Sequence, residues 1–386
     1  MESRLDHLEC ARCGRVHEPD VLQNRCTCGG TLLARYDLSP LSLESVRARP
    51  PGMWRYRELL PVRGAPVSLG EGVTPLIPAP RLSERFGVEV LVKDDGPLPS
   101  GTFKARGAAA GLSRAVELGA DAIVMPSAGN AGAAWSLYAA RAGVTIIVTM
   151  ARSAPEENKE EVRLAGAELV EVDGTIADAA TAARALAAST GAFLTATFAE
   201  PYRVEGKKSA WLECFDQLGD SDSMRLPGTV VTSVGGGVAA VACAKAAQEA
   251  RALGWTGDPA PVVSGVQSEE CPPIVRAFEA GAGAAEPWEG GLATIAAGLR
   301  VPAPSEADLV LQTVRASGGA MVAVSEDAIR DAVGDLAGSE GMLVCPEGAT
   351  TLAALPLLAR RGELREPVVL YNTGGAGKYL RAMIAP

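Results

Sequence analysis

The feature that most limits the possible folds is a regular alternation of two kinds of segment. Short apolar runs rich in β-branched residues favour strands, and alanine-rich segments with helical spacing separate them. The strand-like runs are Val88–Val92, Ala122–Met125, Thr145–Thr149, Glu168–Val172, Thr229–Thr232, Pro261–Val266 and Pro367–Tyr371. The helix-like segments are Ala108–Leu118, Ala131–Ala142, Ile176–Ala188, Val238–Leu253 and Thr350–Arg360. This alternation predicts an α/β protein with parallel sheets covered on both faces, and its extent predicts two such domains.

The charge balance narrows the possible partners. The chain has 386 residues and a formal net charge of −10. Nucleic-acid and membrane-surface binders need a basic face, so neither a nucleic acid nor a membrane is expected as a partner, and any phosphate site must be local. The polar amino-terminal segment and the lack of a long apolar run favour a cytoplasmic location.

Histidine is almost absent. The chain contains only His7 and His17, both before the α/β region. A Ser/His/Asp or Cys/His nucleophile and a histidine-based catalytic metal site therefore cannot be built in the main body. Proton transfer there must fall to a lysine, a carboxylate, a tyrosine or a cofactor.

Four cysteines cluster near the amino terminus. Cys10 and Cys13 form one close pair, and Cys26 and Cys28 form a second pair twelve residues later, followed by two glycines. Four thiolates from two tight turns are typical of tetrahedral zinc, so we expect a structural zinc ribbon. His17 could replace one ligand, and four reduced thiols without metal are the alternative.

One lysine stands in an unusual setting. The segment Pro99–Gly107 places Lys104 after a turn of small and hydroxyl residues, immediately before an alanine-rich helix. A lysine that forms a reversible covalent link to pyridoxal 5′-phosphate (PLP) needs an unhindered approach and a nearby cation, which Arg106 could supply. The alternative from this motif alone is a solvated surface lysine.

Three strands lead into glycine-rich turns. These turns are Ser127–Gly132, Gly235–Gly237 and Asn372–Lys378. Ligands of parallel sheets bind at the carboxyl ends of strands, so the three turns could share one crevice with Lys104. The triple glycine fits neither common nucleotide motif; it could direct backbone amides at a phosphate, or simply let a helix pack closely on the sheet.

Together these segments resemble the fold-type II PLP enzymes, and within them threonine synthase and its near relatives. Further elements of the resemblance are the amino-terminal cysteine unit, Leu69–Leu76, Thr294–Ala297 and Gly341–Ala349. The resemblance implies a tryptophan synthase β-like architecture of two doubly wound three-layer αβα domains with a small zinc-ribbon-like unit. The implied boundaries are 1–40 for the ribbon, 41–106 with 205–386 for the large domain, and 107–204 for the small domain.

The resemblance also assigns roles by position. Lys104 would carry the cofactor as an internal aldimine and shuttle protons, Asn130 would hydrogen-bond the cofactor's 3-hydroxyl, and Thr373 would face the pyridine nitrogen. The cofactor phosphate would be held by Gly235, Gly236, Gly237 and Val238. The substrate would be held by Ser127, Gly129, Ala131 and Thr102.

The activity that this resemblance implies is conversion of O-phospho-L-homoserine and water into L-threonine and phosphate. The alternatives are a PLP-dependent β-elimination or β-replacement enzyme, such as a threonine or serine ammonia-lyase or a cysteate synthase-like enzyme, and a non-catalytic PLP-binding protein. A small amino-acid substrate is implied in the catalytic cases. A homodimer is expected.

The chain departs from the family pattern at two places. Ala105 stands where the family commonly has aspartate, and the segment 196–203 lacks the Asn-Ser pair that the family uses near the substrate's phosphate. Arg203, Lys207 and Lys208 could compensate. The alternative is that these three residues form a solvated basic cluster at the start of a helix.

Overall fold

The computed structural model describes residues 3–384. It contains two compact units. The first unit comprises the chain up to Ser39 together with Val46–Gly72 and Lys104–Ser209, and the second comprises Pro40–Ser45, Val73–Phe103 and the chain from Ala210 onward. Among the described residues, no helix combines the length and apolar character needed to cross a bilayer.

The secondary-structure elements follow in chain order. The strands are β1 Leu5–Cys10, β2 Val16–His17, β3 Leu32–Tyr36, β4 Leu76–Pro78, β5 Val90–Asp94, β6 Ala122–Pro126, β7 Thr145–Ala151, β8 Glu168–Val172, β9 Phe193–Leu194, β10 Thr229–Ser233, β11 Val262–Ser268, β12 Met321–Val324 and β13 Val368–Asn372. The helices are α1 Leu43–Arg47, α2 Pro80–Phe86, α3 Lys104–Glu117, α4 Asn130–Ala142, α5 Glu156–Leu164, α6 Ile176–Thr190, α7 Arg203–Leu218, α8 Val238–Ala252, α9 Pro273–Glu279, α10 Ala307–Ala316, α11 Glu326–Asp335, α12 Pro346–Arg360 and α13 Leu380–Ile384.

The first unit contains two sheets. The amino-terminal sheet is antiparallel with strand order β2-β1-β3, and the second sheet is parallel with order β8-β7-β6-β9. Helix α6 packs on the parallel sheet, where Val124 of β6, Ala183 of α6 and Ala192 form a small apolar cluster. The parallel arrangement puts the carboxyl ends of β6 and β7 at one edge, next to the start of α4.

The second unit is built on a six-stranded sheet of order β12-β11-β10-β13-β5-β4. Its neighbouring strands are parallel except for the β4–β5 pair. Every residue of β11 and β13 is buried, which requires helices on both faces. Helix α12 contributes Leu355 and Leu358 to the core on one face, together with Val231 and Leu370 of the sheet.

The α/β alternation expected from the sequence is confirmed, and each strand-like run corresponds to a strand. The stretch from Ser39 to Arg63 lies outside these runs and is ordered as well. It contains α1 and a 3-10 segment, Met53–Leu59, that buries apolar side chains at a spacing of three. The domain boundaries given above stay a prediction.

Candidate active site and cysteine cluster

The turn before Lys104 is fixed by backbone hydrogen bonds within the second unit. Gly101 has a φ of 67°, in the left-handed region that favours glycine. The amide of Phe103 donates to the carbonyl of Thr373 at 2.9 Å, and the amide of Gly375 donates to the carbonyl of Gly101 at 2.9 Å. Lys104 follows Phe103 directly as the half-buried first residue of α3. The chain is therefore held firmly just before the lysine.

Two predicted site residues, Thr102 and Thr373, are brought together by this arrangement. Thr102 forms an isolated antiparallel bridge with Gly374. The thiol of Cys345 lies 3.5 Å from Oγ1 of Thr373 and accepts a hydrogen bond from the amide of Gly348 at 3.2 Å, which caps α12. Burial raises the pKa of the Cys345 thiol, so this neighbour of Thr373 is neutral. The predicted partner of a pyridine nitrogen is thus a hydroxyl beside a neutral thiol.

The triple glycine follows β10 and leads into α8. Gly237 has a φ of 79°, and a Cβ added there would collide with Val310. A Cβ on Gly235 would collide with the carbonyl of Gly298. The first amides of α8 have no acceptor within the helix, so this turn presents donors at the positive end of a helix dipole. The close packing and the phosphate cradle proposed from sequence are therefore compatible interpretations of the same turn.

We predict that Gly237→Ala weakens both stability and cofactor binding. Left-handed backbone costs a residue with a Cβ about 1–2 kcal/mol, and the clash with Val310 adds about 1–3 kcal/mol. Gly254, just past the other end of α8, is a matched control because its φ is 70° and nothing lies within 4 Å of an added Cβ. Urea unfolding and PLP titration of both variants measure the difference; equal losses of stability would contradict the role of the clash.

The turn after β6 is organised around Ser127. Its Oγ accepts hydrogen bonds from the amides of Gly129 at 3.0 Å and Gly132 at 2.8 Å, and it donates to the carbonyl of Gly129. The Ser127 hydroxyl therefore holds the turn in shape. Asn130 and Ala131 are half-buried and begin α4, where backbone amides lack helical acceptors. An anion such as a carboxylate fits these amides.

The basic residues of α7 are buried, which rules out the solvated cluster. Arg203, Lys207 and Lys208 are 3%, 4% and 0% exposed. Lys208 pairs with Glu205 at 2.6 Å, and its amine lies 4.2 Å from the centre of the Tyr36 ring. Lys208 therefore has a structural role, which leaves Arg203 and Lys207 as the cations to be explained.

Arg203 and Lys207 lie against the helix face that carries Lys104. A Cβ added to Gly107, one turn after Lys104, would be 3.3 Å from Cβ of Arg203 and 3.3 Å from Cε of Lys207. Burial lowers the pKa of the Lys207 amine strongly, and the positive charges of Lys104 and Arg203 lower it further. This region of the first unit therefore holds three basic side chains, and the lowered pKa favours the neutral form of Lys207.

Arg203 carries an unsatisfied donor. Its Nε pairs with the buried Glu200, its Nη1 donates to Oγ1 of Thr197 at 3.4 Å, and its guanidinium carbon lies 5.0 Å from the centre of the Trp135 ring. Among the described residues, its buried Nη2 has no hydrogen-bond partner. A buried guanidinium nitrogen without an acceptor is costly, so the arrangement is suited to an anionic ligand.

Lys93 and Glu71 are held by contacts within the protein. Lys93 is fully buried and donates to the carbonyl of Thr74 at 2.8 Å and to Gln217 at 2.9 Å. Glu71 accepts hydrogen bonds from Trp54 and from the amide of Leu69, which fixes its own turn.

The cysteine cluster has the geometry of a tetrahedral metal site. The four sulfur atoms of Cys10, Cys13, Cys26 and Cys28 lie within 4.8 Å of one another, and three of the sulfur pairs are 3.4, 3.5 and 3.7 Å apart. Zn–S bonds of about 2.3 Å give a tetrahedral edge of about 3.8 Å. The residues therefore fit zinc, with four ligands and no open position.

We predict about one zinc per chain, removed by Cys26→Ser. Loss of one thiolate leaves three ligands and a much weaker site. Metal analysis after dialysis against a mild chelator measures the zinc content. Cys214→Ser is the matched control because Cys214 is a buried thiol outside the cluster. Full zinc retention in Cys26→Ser would contradict the assignment.

Several residues of this region had no sequence signal. Asn158 hydrogen-bonds to Asn130, and Glu200 and Trp135 hold Arg203, yet none stands in a glycine-rich turn or beside the lysine. Asn158 and Trp135 act through contacts between different helices, which spacing from the strand ends does not indicate, whereas Glu200 lies only three residues before Arg203.

The comparisons with known proteins agree with this geometry. A family model described as pyridoxal-phosphate dependent enzyme matches residues 67–374. The threonine synthase of Methanosarcina acetivorans is 35% identical over 375 residues, covering 95% of this chain and 91% of the relative. The threonine synthase of Methanocaldococcus jannaschii is 34% identical with the same coverage.

Solved structures show the same fold. A threonine deaminase from T.th. has a TM-score of 0.67 and 29% identity, covering 87% of this chain and 98% of that chain. Maize serine racemase has a TM-score of 0.66 at 24% identity, with 80% of this chain and 91% of that chain covered. The chain therefore belongs to the family of fold-type II pyridoxal-phosphate-dependent enzymes and, within it, to the threonine synthase family.

Proposed function

We propose that this enzyme converts O-phospho-L-homoserine and water into L-threonine and inorganic phosphate. The observation that carries the proposal is the unpartnered, buried Nη2 of Arg203 beside the buried Lys207. Glu200 pairs with Nε of Arg203 and leaves Nη2 as a buried donor for which a phosphate ester would supply the acceptor. Relatives named threonine synthase support the same reaction.

The chain's residues fit PLP. Lys104 would attach it, the amides at Gly235–Val238 would hold its phosphate, Asn130 would contact its 3-oxygen, and Thr373 would contact its ring nitrogen. When bound, PLP acts as an electron sink that makes the protons next to the substrate's amino-bearing carbon removable. A hydroxyl at the ring nitrogen, in place of a carboxylate, makes that sink weaker and favours elimination and replacement over racemisation.

Lys104 is the residue that moves protons. The net change breaks the Cγ–O bond to phosphate and forms a Cβ–O bond with oxygen from water. Cα loses a proton and regains one, Cβ loses one proton, and Cγ gains one. Both histidines precede the α/β region, so no imidazole base is available in it from the sequence. The Lys104 amine can serve at Cα and Cβ, and the departing phosphate can assist as a second proton carrier.

Arg203 and Lys207 would hold the phosphate ester. A guanidinium donates directed hydrogen bonds to phosphate oxygens, and an amine adds a point charge. Because burial and neighbouring cations lower the pKa of Lys207, a bound dianion would raise it again, and we expect the enzyme to take up a proton when phosphate binds.

A second candidate is a threonine or serine ammonia-lyase. The structural likeness to threonine deaminase, which covers 98% of that chain, favours it. Its substrates carry no phosphate, so it offers no explanation for the unpartnered Arg203 nitrogen. A cysteate synthase-like reaction on phosphoserine would use the same cations on a shorter substrate.

A substrate panel separates these functions. Purified protein is incubated with O-phospho-L-homoserine, O-phospho-L-serine, L-threonine and L-serine, and free phosphate, threonine, ammonia and 2-oxo acid are measured. We expect phosphate and threonine in equal amounts from phosphohomoserine. Ammonia from threonine without phosphate release from phosphohomoserine would contradict the proposal. Turnover of phosphoserine alone would favour the cysteate synthase-like reaction.

A further inference from the structure

A buried asparagine outside the predicted site contacts the residue proposed to bind the cofactor's 3-oxygen. Asn158, in the first turn of α5, is 4% exposed. Its Nδ2 donates a hydrogen bond to Oδ1 of Asn130 at 2.9 Å. The two side chains come from different helices, because Asn130 begins α4.

The turn before α4 is packed directly on the same asparagine. Gly129 has a φ of 146°, and a Cβ added there would lie 2.7 Å from Oδ1 of Asn158. The amide of Asn158 itself donates to the carbonyl of Pro155 at 3.1 Å, which fixes the start of α5. Asn158 is therefore held on its own helix and is in contact with two successive residues of the turn, Gly129 and Asn130.

This contact sets the orientation of the Asn130 side-chain amide. A carboxamide offers an accepting oxygen at one end and a donating nitrogen at the other. Since Oδ1 of Asn130 accepts from Asn158, the end turned away from that contact is the donor, Nδ2. A donor suits the 3-oxygen of PLP, which is an acidic hydroxyl and carries negative charge when ionised.

We propose that Asn158 is a positioning residue that orients the Asn130 side-chain amide so that it donates to the 3-oxygen of the cofactor. The inference rests on the proposed cofactor site at Asn130. Aspartate at position 158 has no donor at neutral pH and can only accept. The Asn130 amide would therefore turn around to donate its Nδ2 to this aspartate, and Oδ1 of Asn130 would then face the 3-oxygen of the cofactor. Serine keeps a donor, and alanine removes it.

The test measures binding of two cofactors to the full-length apoprotein. PLP and 3-deoxypyridoxal 5′-phosphate, which lacks the 3-oxygen, are titrated into wild type, Asn158→Asp, Asn158→Ala and Asn158→Ser. We expect Asn158→Asp to weaken PLP binding by about 10- to 100-fold, the factor for losing a hydrogen bond to a charged group, and Asn158→Ala by less. Binding of the 3-deoxy cofactor should change by less than about twofold, and Asn158→Ser should recover part of the PLP affinity.

A control variant makes the same chemical change elsewhere in the unit. Asn24 also donates its Nδ2, to the carbonyl of Leu194 at 2.7 Å, so Asn24→Asp should not discriminate between the two cofactors. In an Asn130→Ala background, the additional effect of Asn158→Asp should disappear, because the amide that it turns is gone.

Equal weakening of both cofactors by the Asn158 variants would overturn the inference, since a purely structural role affects both alike. No substrate is present in these titrations. If the Asn158 variants discriminated between the two cofactors as expected but the wild type did not turn over phosphohomoserine, the result would support the role of Asn158 and contradict the proposed substrate.

Discussion

Replacing Lys104 with alanine is expected to abolish the activity and the visible absorption band of the lysine-attached cofactor. The residue would serve both as covalent anchor and as proton carrier, and positioned general bases alone contribute about 10²- to 10⁴-fold. We therefore expect kcat to fall by at least about 10⁴-fold when both roles are lost. Turnover of phosphohomoserine and the visible spectrum are measured on the same protein sample.

Lys207 is the informative control for this experiment. Its buried amine lies near Lys104 and has a lowered pKa, so it is the other amine in this part of the first unit that could react with the cofactor. Borohydride reduction followed by peptide mapping should label Lys104 in the wild type and in Lys207→Met. Labelling of Lys207 in the wild type, with Lys104 unmodified, would contradict the assignment of the anchor.

The surroundings of the predicted cofactor contacts indicate the type of chemistry. In the second unit, Thr373 lies beside the neutral thiol of Cys345. In the first unit, Arg203 and Lys207 lie against the helix that begins with Lys104. In the proposed reaction, a hydroxyl at the ring nitrogen and the Nη2 donor of Arg203 would favour loss of phosphate over racemisation.

The sequence predicted the fold well because its signals are local. Each strand-like run is an apolar stretch that ends in a turn, and this pattern needs no knowledge of distant contacts. The segment Met53–Leu59 was harder, since its charged residues resemble a solvated linker. In the structure Glu58 of this segment pairs with the nearby Arg49 at 2.5 Å, and both side chains are largely buried, so this charge is balanced by a protein side chain and not by solvent.

The candidate site was predictable only in part, because only some of its signals are local in the sequence. Glycine-rich turns and the lysine motif are visible in a single stretch of sequence. The burial of Arg203 depends on Trp135 and Glu200, and the orientation of Asn130 depends on Asn158, which lies 28 positions away. Contacts between helices decide these properties, and neither composition nor spacing reports them.

Replacing Arg203 with lysine is expected to raise KM for O-phospho-L-homoserine by about 10- to 100-fold, the effect of losing a hydrogen bond between charged groups. Lysine keeps a positive charge near Glu200 but cannot reproduce both the Nε pair and the Nη2 donor. The larger change should fall on KM, because the contact is made with the bound substrate as well as during the reaction. The Ki of inorganic phosphate should rise in parallel, while the affinity for PLP should be unchanged.

Arg114→Lys provides the matched control. Arg114 is also buried in the first unit, ten residues after Lys104 on α3, and it pairs with Asp20 and Glu117. Its replacement should lower stability without changing KM, which separates loss of a buried ion pair from loss of a phosphate contact. If Arg203→Lys lowered stability to the same extent but left KM and the phosphate Ki unchanged, the phosphate would have to bind elsewhere, and the unpartnered Nη2 of Arg203 would need another acceptor.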